Sequence, residues 1–209
     1  MGRIDADFLK QVIEAIIFAS DEPISIREIN ALVEEATPSQ VEKIIQNLNL
    51  EYTQTNRAFH IVKIAGGYQL VSRDSFSPWI QKLFQGRKKS RLSQAALETL
   101  SVIVFKQPVS KTEVSAIRGV NCDGVIRTLL ERKLISISGR SEGAGRPLIY
   151  KTTNEFLRYF GVNDISDLPR PREMEEILKE EGMLGDPARP GGVFVVLVGH
   201  LTQTLPLWW

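Results

Sequence analysis

The sequence predicts a mainly α-helical protein with small β-wings, built as two winged helix-turn-helix domains in tandem. The first observation behind this prediction is a ten-residue sequence repeat, which occurs at residues 23–32 and again at 108–117. The separation is 108 − 23 = 85 residues, without a gap. Pro, Ser, Glu and Ala recur at matching positions, and the pairs 24/109, 29/114 and 32/117 are aliphatic in both copies. Because this interval is about the length of one small domain, the repeat indicates two related domains.

The second observation is that an apolar run with helical spacing precedes each copy of the ten-residue repeat. The run at 8–18 predicts a helix with one apolar stripe, formed by Phe8, Val12, Ala15, Ile16 and Ala19. The run at 92–105 predicts a helix with Ser93 as its N-cap. We expect its inward positions to be Leu97, Leu100, Val104 and Phe105.

The ten-residue repeat itself predicts the start of the second helix in each domain. Ser25 and Ser110 precede Glu28 and Glu113 by three residues, which is the spacing of a capping box. A third helix follows in each copy. In the first copy, Thr37 and Pro38 mark its start, and its apolar face is Val41, Ile44, Ile45 and Leu48. In the second copy, Asn121 or Asp123 is the cap, and the face is Val125, Ile126, Leu129 and Leu130.

The third observation is that each predicted third helix leads into two β-rich segments, the wing. In the first copy, residues 59–64 and 68–71 flank Gly66-Gly67, which we predict as the tight turn. In the second copy, residues 134–137 and 148–150 flank a longer loop at 139–147. The predicted domains are 1–86 and 92–170, joined by a basic linker at 87–91 and followed by a tail at 171–209.

Composition and targeting signals fit a soluble, cytoplasmic chain. A single cysteine, Cys122, rules out an internal disulfide and suits a reducing compartment. The first residues lead into a charged amphipathic helix and do not resemble a signal peptide. No apolar run reaches the roughly 18–20 residues that span a bilayer. We therefore expect no membrane association.

Charge is distributed unevenly along the chain. Residues 1–84 carry eight basic and eleven acidic side chains, a net charge of 8 − 11 = −3. Residues 85–165 carry fourteen and seven, a net charge of 14 − 7 = +7. A basic winged helix raises the expectation of a nucleic-acid contact for the second domain. The linker residues Arg87, Lys88 and Lys89 are either a DNA-contacting arm or a solvated hinge.

An apolar stripe precedes the linker, and it is our candidate for self-association. Trp79, Ile80, Leu83 and Phe84, with Phe76 before them, recur at helical spacing in the acidic half of the chain. An acidic surface does not favour the stacking of nucleic-acid bases. We therefore expect the stripe to pack against the first domain or against a second subunit.

The sequence offers little catalytic chemistry, and we predict that the protein is not an enzyme. The two histidines, His60 and His200, stand alone, and Cys122 has no neighbouring histidine in sequence. No cluster has the spacing of metal ligands. The glycines at 143 and 145 lack the lysine and the strand-to-helix context of a phosphate-binding loop. We expect no cofactor and no metal.

Two long motifs in the second domain resemble one family. The motif at 118–132 reads RGVNCDGVIRTLLER, and the motif at 145–161 reads GRPLIYKTTNEFLRYFG. Both closely resemble the bacterial segregation and condensation protein B family, and the resemblance extends over about residues 8–170. Lys133 departs from the family, where a Gly is usual after the first motif. The apolar tail, with its Val-rich run at 193–198, also departs from the polar tails that the family leads us to expect.

The resemblance implies an accessory, non-enzymatic subunit of the bacterial SMC complex, which acts in chromosome condensation and partition. Family members work with the kleisin ScpA, which joins the SMC ATPase heads. They dimerise mainly through the N-terminal domain and engage the kleisin through the C-terminal domain. The resemblance therefore implies a homodimer that contacts SMC through ScpA, associates with the nucleoid, and makes at most weak non-specific contact with DNA.

Four further arginines are candidates for partner or nucleic-acid contact. Arg127 and Arg132 lie on the predicted third helix, and Arg140 and Arg146 flank the wing loop. They could contact a partner, support the fold or bind DNA phosphates. Arg127 could instead pair with Glu131 at the i,i+4 spacing. The alternative function is a DNA-binding transcription regulator. The acidic first domain and the scarcity of base-reading side chains on the third helix disfavour that alternative.

Overall fold

The computed structural model describes residues 5–83, 92–143 and 145–168, which fall into two compact units, one of 5–83 and one of 92–168. The first unit has helices α1 (Ala6–Ala19), α2 (Ile26–Leu32) and α3 (Pro38–Gln54), and strands β1 (Phe59–Ile64) and β2 (Gly67–Ser72). A 3-10 turn at Asp74–Phe76 then leads into α4 (Ser77–Leu83).

The second unit repeats the order of three helices, a hairpin and a further helix, with an added short strand. It consists of α5 (Gln94–Lys106), β3 (Val109–Ser110), α6 (Lys111–Arg118), α7 (Asp123–Glu131), β4 (Ile135–Arg140), β5 (Leu148–Thr152), α8 (Asn154–Phe160) and a 3-10 turn at Ile165–Asp167. Three helices followed by an antiparallel hairpin occur in both units, so the predicted fold class is confirmed.

The ten-residue repeat has the same local structure in both units. Ser25 and Ser110 cap α2 and α6, and each accepts a hydrogen bond from the backbone N–H of Glu28 or Glu113. Each glutamate in turn accepts the serine N–H at 2.8 Å, which completes the capping box. The residue before each serine pairs with the wing: Ile24 bridges Tyr68, and Val109 pairs with Tyr150. This short extra strand was not part of the sequence prediction.

The tight turn of the first wing is one residue earlier than predicted. β1 and β2 pair up to Ile64 and Gly67, so the two turn residues are Ala65 and Gly66, both with positive φ (50° and 78°). Gly67 begins β2 instead. A Cβ there would lie 2.7 Å from the Pro23 carbonyl carbon, so glycine lets the strand lie against the first residue of the ten-residue repeat.

The apolar stripe predicted for α1 is confirmed only in part, since Val12 and Ile16 pack half-buried against the core. Leu9, Ile13 and Ile17 are buried in the core of the first unit, whereas Phe8, Ala15 and Ala19 are exposed. The helix is apolar at nearly every position from 12 to 19, so its periodicity permits two faces. Contacts with α3 select one of them: Lys10 pairs with Glu51 at 2.8 Å, and the Tyr52 hydroxyl donates to Glu14 at 2.6 Å.

The second unit confirms most of the predicted core. Leu100, Val104, Ile126 and Leu129 are buried, and Ser93 caps α5 by accepting the Ala96 N–H. The inward prediction for Phe105 is wrong, since this side chain is 37 % exposed. The buried positions of α5 centre on Leu100 and Ile103, and Phe105 follows at the margin of that face. Cys122 is buried at the start of α7, where the Asn121 side chain accepts the Asp123 N–H at 2.8 Å.

Candidate partner-binding surfaces

Helix α4 carries large apolar side chains and buries none of them within the described chain. Trp79 is 66 % exposed and Leu83 is 78 % exposed, while Phe76 just before the helix is 40 % exposed and Ile80 is half-buried. We call these four residues the α4 surface. A helix with an apolar stripe normally buries that stripe against another element. Contiguous exposed apolar area of this kind marks an interaction site. Phe84, the fourth predicted dimer residue, lies outside the described residues.

The structure brings together only some of the basic residues that are predicted to contact a partner or nucleic acid. Arg87, Lys88 and Lys89 lie outside the described residues. Arg127 is exposed on α7, and Arg132 is half-buried at the end of that helix. The ion pairs of the described residues do not include Arg127 with Glu131. Asp123, one turn before Arg127, instead pairs with Lys111 at 3.0 Å. The exposed face of α7 is therefore of mixed charge.

The two wing arginines are held at the same loop. The Arg140 guanidinium donates to the Arg146 carbonyl oxygen at 3.1 Å, and the Ser141 N–H donates to the Pro147 carbonyl at 2.9 Å. Arg146 itself has a positive φ of 42°. Both arginine side chains belong to exposed residues. The loop therefore presents two cations from a backbone that is fixed by hydrogen bonds.

A cavity on the second unit was not anticipated from the sequence. It has a volume of about 400 Å³, and we call it the wing groove. Its lining residues come from β4, β5, the turn before β3 and the final 3-10 turn: Gln107, Pro108, Ser138, Ile149, Lys151, Thr152 and Ile165. Gln107 Oε1 accepts the Thr152 N–H at 2.6 Å and the Thr152 hydroxyl at 2.9 Å, which fixes one wall. Because four separate segments form the groove, no single motif could have indicated it.

The wing groove combines apolar walls with a basic edge. Pro108, Ile149 and Ile165 supply apolar surface, and the Lys151 side chain is exposed at the margin. A cavity of this size accommodates a few side chains of a partner. Its chemistry fits apolar side chains next to a carboxylate.

The isolated titratable groups do not form a catalytic arrangement. His60 lies on β1, where burial, with a smaller effect of the nearby Arg73 cation, lowers the pKa of its imidazole. The Cys122 thiol donates to the Val120 carbonyl at 3.4 Å in the core. Over residues 5–83, 92–143 and 145–168, no three His, Cys, Asp or Glu side chains group so that they could hold a metal ion. His200 lies outside the described residues.

The described part of the chain also has no helix that combines the length and the apolar character needed to cross a membrane.

Comparison with known proteins identifies the family. The profile of the family described as "Segregation and condensation complex subunit ScpB" matches residues 11–171. Segregation and condensation protein B of Clostridioides difficile (strain 630) is 40% identical over 174 residues, covering 83% of this chain and 97% of the relative. The protein of the same name from Syntrophotalea carbinolica is 40% identical over 184 residues, covering 88% of this chain and 92% of the relative.

A crystal structure of ScpB from Mycobacterium tuberculosis is 34% identical, with coverage of 78% of this chain and all of that one, at a TM-score of 0.38. A solved dimer of an ScpB N-terminal domain, complexed with ScpA peptide, is 27% identical over 35% of this chain and 91% of that one, at a TM-score of 0.33. The assignment rests on the sequence matches, which span both units. The chain belongs to the segregation and condensation protein B (ScpB) family.

Proposed function

We propose that this protein is a non-catalytic accessory subunit of the bacterial SMC–kleisin complex, and that it binds the kleisin ScpA as a homodimer. In this role it acts in chromosome condensation and partition, in the cytoplasm and at the nucleoid. The observation that carries the proposal is the family match over 11–171, which includes the helices and wings of both units. The exposed apolar and basic surfaces of the two units support a role in assembly.

The α4 surface supports the dimer. Its neighbours in sequence are one acid, Asp74, and one base, Lys82, so two copies would meet without strong charge repulsion. Burying a Trp or Leu side chain that is otherwise exposed is worth about 1.5–3 kcal/mol. Two such side chains from each subunit would supply a hydrophobic centre of the kind that protein interfaces use. We assign self-association to Phe76, Trp79, Ile80 and Leu83, with Phe84 continuing the stripe.

The wing groove supports kleisin binding by the second unit. We place the kleisin on this unit because the family resemblance implies it, and the groove is a cavity on this unit. An extended ScpA segment could place apolar side chains against Pro108, Ile149 and Ile165, with a carboxylate near Lys151. Arg140, the last residue of β4, and Arg146, on the loop between β4 and β5, would add long-range attraction for an acidic segment. Arg127 and Arg132 on α7 remain candidates for the same partner.

Sequence-specific DNA binding is less well supported by the described residues. Arg127 lies between Asp123 and Glu131, each one turn of helix away, so phosphate attraction along α7 is offset. Titration with random-sequence duplex DNA across a salt series separates the two functions. We expect weak, sequence-independent binding that salt abolishes. Tight binding that tolerates salt and depends on sequence would contradict the proposal and identify a DNA-reading regulator.

Kleisin binding is tested by calorimetric titration of the full chain with purified ScpA. We expect binding by the wild type and a loss of at least about tenfold in the double variant Ile149→Asp with Lys151→Glu, since one carboxylate enters an apolar wall and a basic charge is reversed. Ile137→Asp is the matched control, because Ile137 is exposed on β4 and does not line the groove. An ScpA affinity that the double variant leaves unchanged would remove the wing groove from the proposal.

A further inference from the structure

Strand β4 forms an open edge of the sheet in the second unit. The strand order is β3-β5-β4, and over the described residues β4 pairs with β5 alone. Every residue of β4 from Ile137 to Arg140 is exposed, and the Ile137 side chain is 49 % exposed. We call the free side of this strand the β4 edge. A strand of this kind offers backbone N–H and C=O groups to another strand, and Ile137 offers it an apolar contact.

The tail of the same chain contains a segment with the composition of a buried strand. The Val-rich run at 193–198 reads VFVVLV, in which five of the six residues are β-branched or aromatic. Such residues favour strands, and the glycines at 191, 192 and 199 are typical of strand boundaries. Residues 190–209 contain no Asp, Glu, Lys or Arg. The run also has the same length as β4, which has six residues. Residues 169–209 lie outside the described residues, so this step rests on the sequence.

The described part of the chain ends close to the β4 edge. The final 3-10 turn places Ile165 in the lining of the wing groove, together with Ser138 of β4. Leu168, the last described residue, is buried in the core of the second unit. The 24 residues at 169–192 separate Leu168 from the Val-rich run. A coil of this length spans roughly 25–30 Å on average, so the run is within reach of β4.

The tail of the same chain has an advantage over any separate strand that competes for the β4 edge. A short connection holds a segment near its site at an effective concentration in the millimolar range. An apolar run of low charge and high β-propensity is an aggregation hazard when it is exposed, and so is an open strand edge. Pairing the run with β4 covers both within one molecule.

We infer that residues 193–198 dock on the β4 edge of their own chain and add a further strand to the sheet of the second unit. Backbone hydrogen bonds would attach the run, and its aliphatic side chains would cover Ile137. A bulge between Ile137 and Gly139 interrupts the regular ladder of β4, so the pairing would centre on residues 135–137. The inference uses the edge of the sheet, and not the wing groove or the α4 surface. It therefore stands separately from the proposed function.

Hydrogen–deuterium exchange of the full chain, followed by mass spectrometry, tests the inference. We expect slow exchange in two peptides, one that covers 135–140 and one that covers 193–198, because amides that are paired between strands are protected. The exchange is measured above and below the dimer dissociation constant that light scattering gives. We expect the same protection at both concentrations, since the run and β4 belong to one chain.

The decisive variant is Val195→Pro with Val196→Pro. Neighbouring residues of a strand direct their N–H groups to opposite sides, so one of the two prolines removes a donor that faces β4. Thr202→Pro with Gln203→Pro is the matched control, because it alters the same tail and leaves the run intact. We expect exchange at 135–140 to become at least about tenfold faster in the decisive variant only.

A second variant, Ile137→Lys, tests the other side of the contact. Lysine is a residue that natural edge strands use to block pairing, and position 137 is exposed, so the second unit should still fold. We expect exchange at 193–198 to become at least about tenfold faster in this variant.

Four results would overturn the inference. The first is fast exchange of 193–198 in the wild type. The second is protection of 135–140 that the decisive variant leaves unchanged, which would place the run elsewhere. The third is an equal loss of protection in the control variant, which would indicate a general effect of the tail. The fourth is protection that disappears below the dimer dissociation constant, which would show that the run pairs with a second copy of the chain.

Discussion

The hydroxyl of Thr153 donates a hydrogen bond of 2.5 Å to the carbonyl oxygen of Lys133. The same hydroxyl accepts the Phe156 N–H at 3.2 Å and so caps α8. One side chain therefore joins the end of α7 to the start of α8 across the wing. Lys133 itself has a left-handed backbone conformation with φ of 58°. The Leu134 N–H bonds to the Leu129 carbonyl and the Lys133 N–H to the Leu130 carbonyl, which is a Schellman helix end.

Replacing Lys133 with glycine should stabilise the second unit. A non-glycine residue in the left-handed region costs about 1 kcal/mol, and Lys133→Gly removes that cost without disturbing the hydrogen bonds. Urea unfolding should show a free energy of unfolding about 0.5–1 kcal/mol higher than that of the wild type. Lys133→Ala is the control, because alanine removes the charge and keeps the backbone strain. Equal stabilisation by both variants would contradict this explanation.

The two neighbouring glycines of the first wing should respond differently to alanine. A Cβ on Gly67 would lie 2.7 Å from the Pro23 carbonyl carbon, whereas a Cβ on Gly66 meets nothing within 4 Å. Gly66→Ala should cost about 1 kcal/mol, the strain of a positive φ. Gly67→Ala should cost more, about 2–3 kcal/mol, since backbone must move. Thermal unfolding of the two variants checks this order, and the reverse order would mean that β2 does not lie against Pro23.

Truncating the α4 surface should weaken self-association without unfolding the chain. Trp79→Ala with Leu83→Ala removes two side chains that contribute little to the fold, because both are mostly exposed. A hot-spot tryptophan alone is worth about 2 kcal/mol or more, so the dimer dissociation constant should rise by at least about thirtyfold. Light scattering over a dilution series measures it, with Leu50→Ala as the control at another exposed position. A dissociation constant that does not change would exclude the α4 surface from the dimer.

Acid should destabilise the chain partly through the two repeated capping boxes. Hydrogen bonds from the Ser25 hydroxyl, and then from the Ser25 N–H, lower the pKa of Glu28 below its ordinary 4.5, and Ser110 does the same for Glu113. The unfolded chain therefore binds protons more readily than the folded chain. The stabilisation is complete above the unfolded pKa and is lost as the pH falls through the lower, folded pKa.

The variant Glu28→Gln with Glu113→Gln keeps both boxes and removes the charges, as Gln40 already does at the start of α3. Its free energy of unfolding should fall less steeply than that of the wild type as the pH drops below 4.5. Glu34→Gln with Glu35→Gln removes two exposed carboxylates that take no part in a capping box and should keep the wild-type acid dependence. Identical slopes for the two double variants would contradict the assignment.

The sequence predicts those features of the fold that depend on local chemistry. The capping serines, Thr37 and Ser93 begin their helices where expected, because a cap needs only residues within one turn. The buried face of α1 could not be predicted, since the helix is apolar on two sides and the choice depends on contacts with α3. The left-handed conformation of Lys133 could not be predicted either, because its carbonyl accepts a hydrogen bond from Thr153, twenty residues away in sequence.

The candidate surfaces could likewise be predicted from the sequence only where they depend on a single local segment. The stripe of Trp79, Ile80 and Leu83 is visible from its spacing in one helix, although only the structure shows that no residue of that helix is buried. The wing groove combines Gln107, Ser138, Ile149 and Ile165 from separate elements, so local patterns do not reveal it. On α1, the exposed residues Phe8, Ala15 and Ala19 belong to the stripe that the sequence predicts as core. Exposure after folding, rather than composition, distinguishes such a surface from a hydrophobic core.

The most direct test of the central claim is the molar mass of the full chain by light scattering after size exclusion, alone and mixed with purified ScpA. We predict twice the chain mass alone, and a single heavier species that contains ScpA in the mixture. A chain that elutes with the mass of one copy, and separately from ScpA, would contradict the proposal that this protein is a dimeric kleisin-binding subunit.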